Sequence, residues 1–181
     1  PAAVPGAAPA VQSREAVIAA TERVAIDTPR LSGSISLRGG RIDDLVLRAY
    51  RQTVAPDSPH VVLFNPFGTA NAFYAETGFA TVAGGPALPT PETVWTREGS
   101  GALAPGNPVT LVWDNGQGLT FRRTYAVDEH YMFTVTEEVR NASGQAVTLH
   151  PYALVRRHGT PQTQGMWIMH EGPIGILGTQ G

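Results

Sequence analysis

The stretch LSGSISLRGGRIDDLVLRAY, residues 31–50, decides the fold of this 181-residue chain. In its first half, serine and arginine alternate with Ile35 and Leu37, which is the period of two of a strand with one buried and one solvated face. This strand is predicted to end at about Arg38. The Gly39-Gly40 pair is predicted to be a two-residue hairpin link, because glycine takes positive φ values at little cost. The sequence therefore predicts a β-hairpin here.

The return strand of the hairpin is interrupted at Asp43 and Asp44. Ile42, Leu45 and Leu47 supply its apolar side chains, but the two aspartates between them shift the alternation by one residue. Such a shift predicts a β-bulge or an exposed kink.

Strand-like segments continue after the hairpin to residue 157. Asn115-Gly116 separates two of them and is the strongest short hairpin signal in the chain. The next segment places Tyr131 on one face and Met132 on the other, so three consecutive strands form a meander. Residues 70–81 are ambiguous, and residues 93–96 are a short strand candidate in a loop-rich span. The fold predicted is all-β, a twisted antiparallel β-sandwich whose inward side chains include Ile35, Leu37, Val112, Phe121, Tyr125, Phe133 and Val135.

The N-terminal residues differ in composition from the remainder. Residues 1–10, PAAVPGAAPA, carry too little apolar surface to offset the entropy of ordering them. Ser13 is a suitable N-cap for a short helix that ends near Arg23. We expect residues 1–22 to be a linker with a short helix, and residues 23–181 to be the β-sandwich domain.

Composition excludes several classes of protein. The net charge is −2, and no basic run is longer than two residues, which argues against nucleic-acid binding. The absence of cysteine removes disulfides, thiolate nucleophiles and cysteine-based metal sites. No apolar run reaches the ~20 residues of a membrane helix, so we expect the chain as given to be soluble.

The histidines give no metal-binding pattern, because none are paired at short spacing. We predict no metal site and no cofactor. General acid/base work on a sugar would need a histidine and a carboxylate, such as His158 with Glu171 or Glu137, at one cleft. The alternative is that the histidines are ordinary surface or loop residues. The five are His60, His130, His150, His158 and His170.

Other motifs are equally weak. No serine lies in a nucleophile elbow, and the glycine pairs lack phosphate-loop spacing. The tryptophans Trp95, Trp113 and Trp167 either form a sugar-stacking platform or belong to the core, which is the commoner place for aromatic residues in sandwiches. We therefore predict no catalytic, cofactor-binding or metal-binding residue.

Four phrases, taken in order, carry a family resemblance from residue 24 to at least residue 159. They are VAIDTPRLSGSISLRGGRIDDLVLRAY (24–50), NPFGTANAFYAETGF (65–79), GLTFRRTYAVDEHYMFTVTEEVRNASG (118–144) and VTLHPYALVRRHG (147–159). Together they resemble the large periplasmic domain of the bacterial YidC membrane protein insertases, of the YidC/Oxa/Alb family. Their order carries the resemblance, since no single phrase is decisive.

The resemblance implies a super-sandwich similar to that of galactose mutarotase, in a periplasmic domain of an inner-membrane protein of a Gram-negative bacterium. It also implies that residues 23–181 lack the C-terminal part of that domain. It implies a non-catalytic domain of an insertase and chaperone that aids the insertion and folding of inner-membrane proteins, alone or with the Sec translocon. The partners it implies are the Sec accessory subunits, SecDF, and nascent membrane proteins. The alternatives are a mutarotase-like sugar-active enzyme and a carbohydrate-binding module.

Overall fold

The computed structural model describes residues 11–159, which form one short helix and ten strands. No helix within this range is both long and apolar enough to cross a membrane. The elements are α1 (Arg14–Ala19), β1 (Arg23–Asp27), β2 (Leu31–Ser36), β3 (Arg41–Arg51), β4 (His60–Phe64), β5 (Phe73–Ala80), β6 (Thr96–Glu98), β7 (Val109–Asp114), β8 (Leu119–Val127), β9 (Phe133–Asn141) and β10 (His150–Arg157).

The strands form two antiparallel sheets, which confirms the all-β sandwich. The first sheet has the order β1-β2-β3-β5-β10, with β4 also paired to β3. The second sheet has the order β6-β7-β8-β9, and its last three strands are the predicted meander. Apolar side chains from both sheets make a single core, so the sheets pack face to face.

The hairpin β2–β3 is present, but its link is longer than predicted. β2 ends at Ser36, which pairs with Arg41, and so the link has four residues instead of two. Gly39 and Gly40 have φ values of 76° and 58°, as their left-handed role requires. The link is longer because its residues bond to another segment: Trp95 donates its N–H to the carbonyl of Leu37.

A β-bulge lies where the two aspartates interrupt the alternation, as predicted. The register shifts between Ser34, which pairs with Asp44, and Ile35, which pairs with Ile42. Asp43 is therefore the extra residue. The backbone of β3 comes so close to β2 here that a Cβ on Gly33 would lie 2.0 Å from the carbonyl oxygen of Asp44. Only glycine fits at that position.

The prediction that one face of β2 is solvated is wrong for Ser34 and Ser36. Both serines are buried, with 8% and 4% of their surface exposed. Ser34 Oγ donates to Asp44 Oδ2 at 2.6 Å, and Arg23 Nε donates to Ser34 Oγ at 2.7 Å. The face is polar as expected, but charged side chains from neighbouring elements cover it.

The inward set is confirmed except at Val112. Ile35, Leu37, Phe121 and Tyr125 are buried, and Phe133 and Val135 pack against the core. In β7 it is Val109 and Leu111 that face inward, whereas Val112 is only half-buried. Val109, Leu111 and Trp113 share one face of β7, whereas Val112 shares its face with Thr110 and Asp114, so the alternation itself favours Leu111 as the inward residue. Pairing with β8 agrees, because Val112 is the register partner of the half-buried Arg122.

The structure also settles three local predictions. The ambiguous residues 70–81 contain β5. The strand expected at residues 93–96 lies instead at Thr96–Glu98, because residues 93–95 bond to the β2–β3 link. The short helix is present, and Ser13 caps it by accepting the N–H of Ala16. The linker at residues 1–10 lies outside the described residues.

The two faces of β7 give a test of the register. Leu111→Ala should lower the free energy of unfolding by about 2–5 kcal/mol, since it opens a cavity in the core. Val112→Ala, on the opposite face, should cost about 1 kcal/mol or less. Urea unfolding of the two variants measures both values. A larger cost at Val112 than at Leu111 would contradict the observed packing.

Candidate functional site

The least expected feature of the core is a buried arginine between the two sheets. Arg123 on β8 is 1% exposed. Its guanidinium donates to the carbonyls of Gly39 and Gly40 at 3.3 and 3.1 Å, and to the carbonyl of Thr77 at 2.7 Å. Its Nε donates to Glu137 Oε1 at 2.5 Å. These residues, with Trp95 and Tyr125, are called the inter-sheet arginine site below.

Glu137 on β9 balances the charge of Arg123. Its side chain is 15% exposed, and its Oε1 also accepts a hydrogen bond of 2.6 Å from Thr77 Oγ1. Burial alone would lower the pKa of Arg123, but the attraction and hydrogen bonding of its neighbours, Glu137 among them, outweigh it and raise that pKa above its ordinary value. The guanidinium is therefore firmly charged, and both sheets hold it.

Two aromatic residues complete the inter-sheet arginine site. Trp95 is 1% exposed, and the guanidinium carbon of Arg123 lies 4.7 Å from its ring centre, in a cation–π contact. The hydroxyl of Tyr125 donates to the carbonyl of Gly40. Burial raises the pKa of Tyr125 to about 12, although Arg123 opposes the shift. Tyr125 is therefore a neutral donor at physiological pH.

A second ion pair lies on the first sheet. Arg41 Nε donates to Glu76 Oε2 at 2.6 Å, and the side chains are only 9% and 10% exposed. The guanidinium of Arg41 also lies over the rings of Phe67 and Tyr74, at 5.6 and 5.5 Å. A cavity lined partly by Glu76 and Arg123 has a volume of only about 10 Å³. It has room for about one water molecule and none for a sugar.

A third group surrounds the β-bulge and is called the bulge cluster, namely Asp43, Asp44, Ser34, Arg23 and Arg14. Arg23 pairs with Asp43, and Arg14 of α1 pairs with Asp44. Burial raises the pKa of Asp43 above its ordinary value, although the attraction of Arg23 opposes it. The ion pair of Arg14 attaches the helix to the first sheet.

These groups are suited to holding structure and not to proton transfer. Each buried arginine is matched to carboxylate or carbonyl oxygens, and each buried carboxylate has an arginine partner. No three histidine or acidic side chains within residues 11–159 are grouped as a metal site requires. The chemistry available is the positioning of strands and of one helix by charge-assisted hydrogen bonds.

The residues considered for acid/base catalysis are not brought together. Glu137 belongs to the inter-sheet arginine site, at the level of Thr77, whose register partner on β10 is Ala153. His158 follows Ala153 by five residues, so about 17 Å of strand separates the level of His158 from that of Glu137. The ring of His158 packs instead against Phe67 and Tyr74. His60, His130 and His150 are exposed, and His170 and Glu171 lie outside the described residues.

The tryptophans do not form a surface platform in the described part of the chain. Trp95 belongs to the core, and Trp113 is half-buried against it, with its ring centre 5.6 Å from that of Phe121. Trp167 lies outside residues 11–159. Sequence reasoning did not identify Arg123, although its signal was present: it stands midway between the inward-facing Phe121 and Tyr125.

Comparison with known proteins identifies relatives of this chain. The family model for the YidC periplasmic domain matches residues 23–181. The chain is 58% identical to a membrane protein insertase YidC from Nitrobacter hamburgensis over 96% of its length, and 56% identical to one from Bradyrhizobium diazoefficiens over 98%. A YidC from Cereibacter sphaeroides is 51% identical over 97% of the chain. The chain spans 29% of the length of each of these relatives.

Removing the charge of Glu137 tests the inter-sheet arginine site. Glu137→Gln should lower the free energy of unfolding by about 2–5 kcal/mol, because it leaves the buried guanidinium of Arg123 without a counter-charge. Glu138→Gln is the matched control. Its exposed carboxylate lies 3.9 Å from Arg122, and its loss should change stability by no more than about 0.5 kcal/mol. Equal effects in urea unfolding would refute the role given to Glu137.

The raised pKa of Tyr125 predicts a pH dependence. Tyr125→Phe should cost about 1 kcal/mol at pH 7, the value of one hydrogen bond. The folded pKa of about 12 exceeds the ordinary 10.0, so the stabilisation by the neutral hydroxyl is complete below pH 10 and is lost as the pH rises to about 12. The stability of the wild type should therefore fall relative to the phenylalanine variant, by up to roughly 2–3 kcal/mol.

Chemical unfolding at pH 7, 10 and 11 measures this difference. The comparison between the two proteins cancels the titration of every other group. Parallel pH profiles would show that the hydroxyl is not buried in the folded state.

Proposed function

The chain belongs to the YidC periplasmic domain family, and on this premise we propose that it is a non-catalytic periplasmic domain of an inner-membrane insertase. The observation that carries the proposal is the match itself, which covers residues 23–181 and extends to relatives named membrane protein insertase. In this role the domain aids the insertion and folding of inner-membrane proteins, alone or with the Sec translocon. Its direct partners are the Sec accessory subunits, SecDF, and nascent membrane proteins.

The side chains of residues 11–159 support a structural role more than an enzymatic one. The buried charges are paired with one another, and the small cavity beside them has room for about one water molecule. Glu137 and His158 lie at different levels of the sandwich, so they do not serve as an acid/base pair on a sugar ring. A sugar-active enzyme would require another set of residues.

We propose that the domain proper begins near residue 23 and that residues 1–22 attach it to the preceding part of the insertase. The family match begins at residue 23. The helix α1 precedes that point and is fixed to the bulge cluster by the ion pair between Arg14 and Asp44. That ion pair would define the direction in which the linker leaves the domain.

A sheet edge is the surface we assign to the Sec accessory subunits. β10 is the last strand of the first sheet and has no strand on its outer side within the described residues. It exposes Tyr152 and Val155, which are 39% and 54% exposed. The net charge of −2 makes electrostatic steering weak, so the contact would depend on main-chain pairing and apolar surface.

Photocrosslinking in membranes tests this assignment. A photoreactive residue at Val155 of the parent insertase should crosslink to the Sec accessory subunits more often than one at Met132, a 66% exposed position in the turn before β9 that serves as the matched control. Equal yields from the two positions would remove the partner assignment.

Polarimetry on glucose and galactose tests the non-catalytic role separately. Acceleration of mutarotation that His158→Ala abolishes would establish the enzyme instead.

A further inference from the structure

A groove of about 610 Å³ lies at the end of the sandwich opposite His158. It is bordered by the residues after β5, the β7–β8 turn and the connection from β9 to β10. None of the twelve residues that line it is charged. Val147 and Leu119 supply apolar surface, and its polar side chains are those of Thr81, Gln117, Ser143, Gln145 and Thr148. The groove is distinct from the inter-sheet arginine site and from the bulge cluster.

The segment Ala146–Leu149 along this groove has the form of a strand without a partner. Its burial alternates, with Val147 and Leu149 packed against the core and Ala146 and Thr148 exposed. None of its four backbone N–H groups bonds to another backbone group within residues 11–159. The carbonyl of Thr148 accepts only from the Thr81 hydroxyl, at 3.3 Å. Among residues 11–159, therefore, most main-chain groups of this segment have no protein partner.

Both ends of the segment are fixed in place. At its start, the side-chain amide of Asn141 donates to the carbonyl of Gln145 at 2.7 Å, in a turn that Ser143 completes. At its end, His150 pairs with Ala80 in the first sheet. The segment is thus anchored at both ends before anything binds, so its ordering on strand addition costs little conformational freedom on the side of the protein.

We propose that the groove accepts an extended, uncharged polypeptide segment, which adds as a strand along Ala146–Leu149. Backbone groups that have no protein partner are satisfied by an incoming main chain, as in other strand additions. The four residues present about 13 Å of strand edge, which matches a short peptide. Charged side chains are excluded because the lining offers them no counter-charge.

The chemistry of the occupant agrees with the role of the domain. Segments of membrane proteins are rich in uncharged residues, and before insertion their backbone groups are unpaired. That the occupant is an inserting membrane protein rests on the proposed function. The strand-accepting property of the groove does not, since it follows from the backbone alone.

Fluorescence anisotropy on the 181-residue chain tests the proposal. The probe is a labelled, end-capped hexapeptide of alternating threonine and valine. We expect saturable binding that Thr148→Pro weakens by about five- to tenfold, because proline removes a main-chain donor. Val54→Pro is the matched control: it introduces the same residue at a fully exposed position outside the groove and should bind as the wild type does. Ala146→Pro provides a second variant, and circular dichroism shows which variants are folded.

Two further peptides distinguish strand addition from apolar adhesion. The same hexapeptide with alternate residues N-methylated should lose binding, and one with aspartate in place of valine should not bind. Equal binding of the N-methylated peptide, or of Thr148→Pro, would overturn the proposal. So would a lack of peptide binding accompanied by self-association in sedimentation, which would assign the groove to a second copy. These measurements use no membrane, so their failure would leave the crosslinking result unaffected.

Discussion

The guanidinium of Arg123 connects the two sheets, and much of the structure depends on satisfying it. A buried charge is tolerated only when counter-charge and acceptors surround it. Glu137 supplies the charge, while the acceptors are carbonyls of the β2–β3 link and of β5 in the opposite sheet. Apolar contacts are not directional, whereas these hydrogen bonds are. They therefore fix how the sheets lie on each other, and the link must direct its carbonyls inward, which the positive φ values of its glycines permit.

On the outer side of the first sheet, buried charges are again matched by opposite charges, supplied by different residues. The bulge places the two adjacent aspartates Asp43 and Asp44 among arginines, and α1 contributes one of these arginines. A strand without a bulge would direct neighbouring side chains to opposite faces. The extra residue is thus what brings both carboxylates into the bulge cluster. The helix is too short to be stable alone, so its position depends on this ion pair and on its packing.

Alternation, turn residues and the ordered phrases were sufficient to predict the sandwich, the meander, the bulge and the family. They failed to predict the burial of side chains whose partners lie far away in the sequence. Ser34 and Ser36 are polar, so alternation predicts that they are solvated, but both are buried and Arg23 bonds to Ser34. Val112 is a different case, because Thr110 and Asp114 on the same face of β7 already give the phase that the structure shows. The inward direction of Arg123 followed from its neighbours on β8, yet nothing local identified the carbonyls that receive it.

The hydrogen bonds from Arg123 and Tyr125 to the β2–β3 link join residues 83–85 positions apart. At synthesis rates of about 5–20 residues per second, the link therefore waits roughly 4–17 s for these partners to emerge. A two-stranded hairpin is only marginally stable in water, so during that time the early strands are open to pairing with unrelated chains. Charged side chains within a strand oppose such pairing. Asp43 and Asp44 would thus protect the nascent chain from aggregation before they stabilise the finished domain.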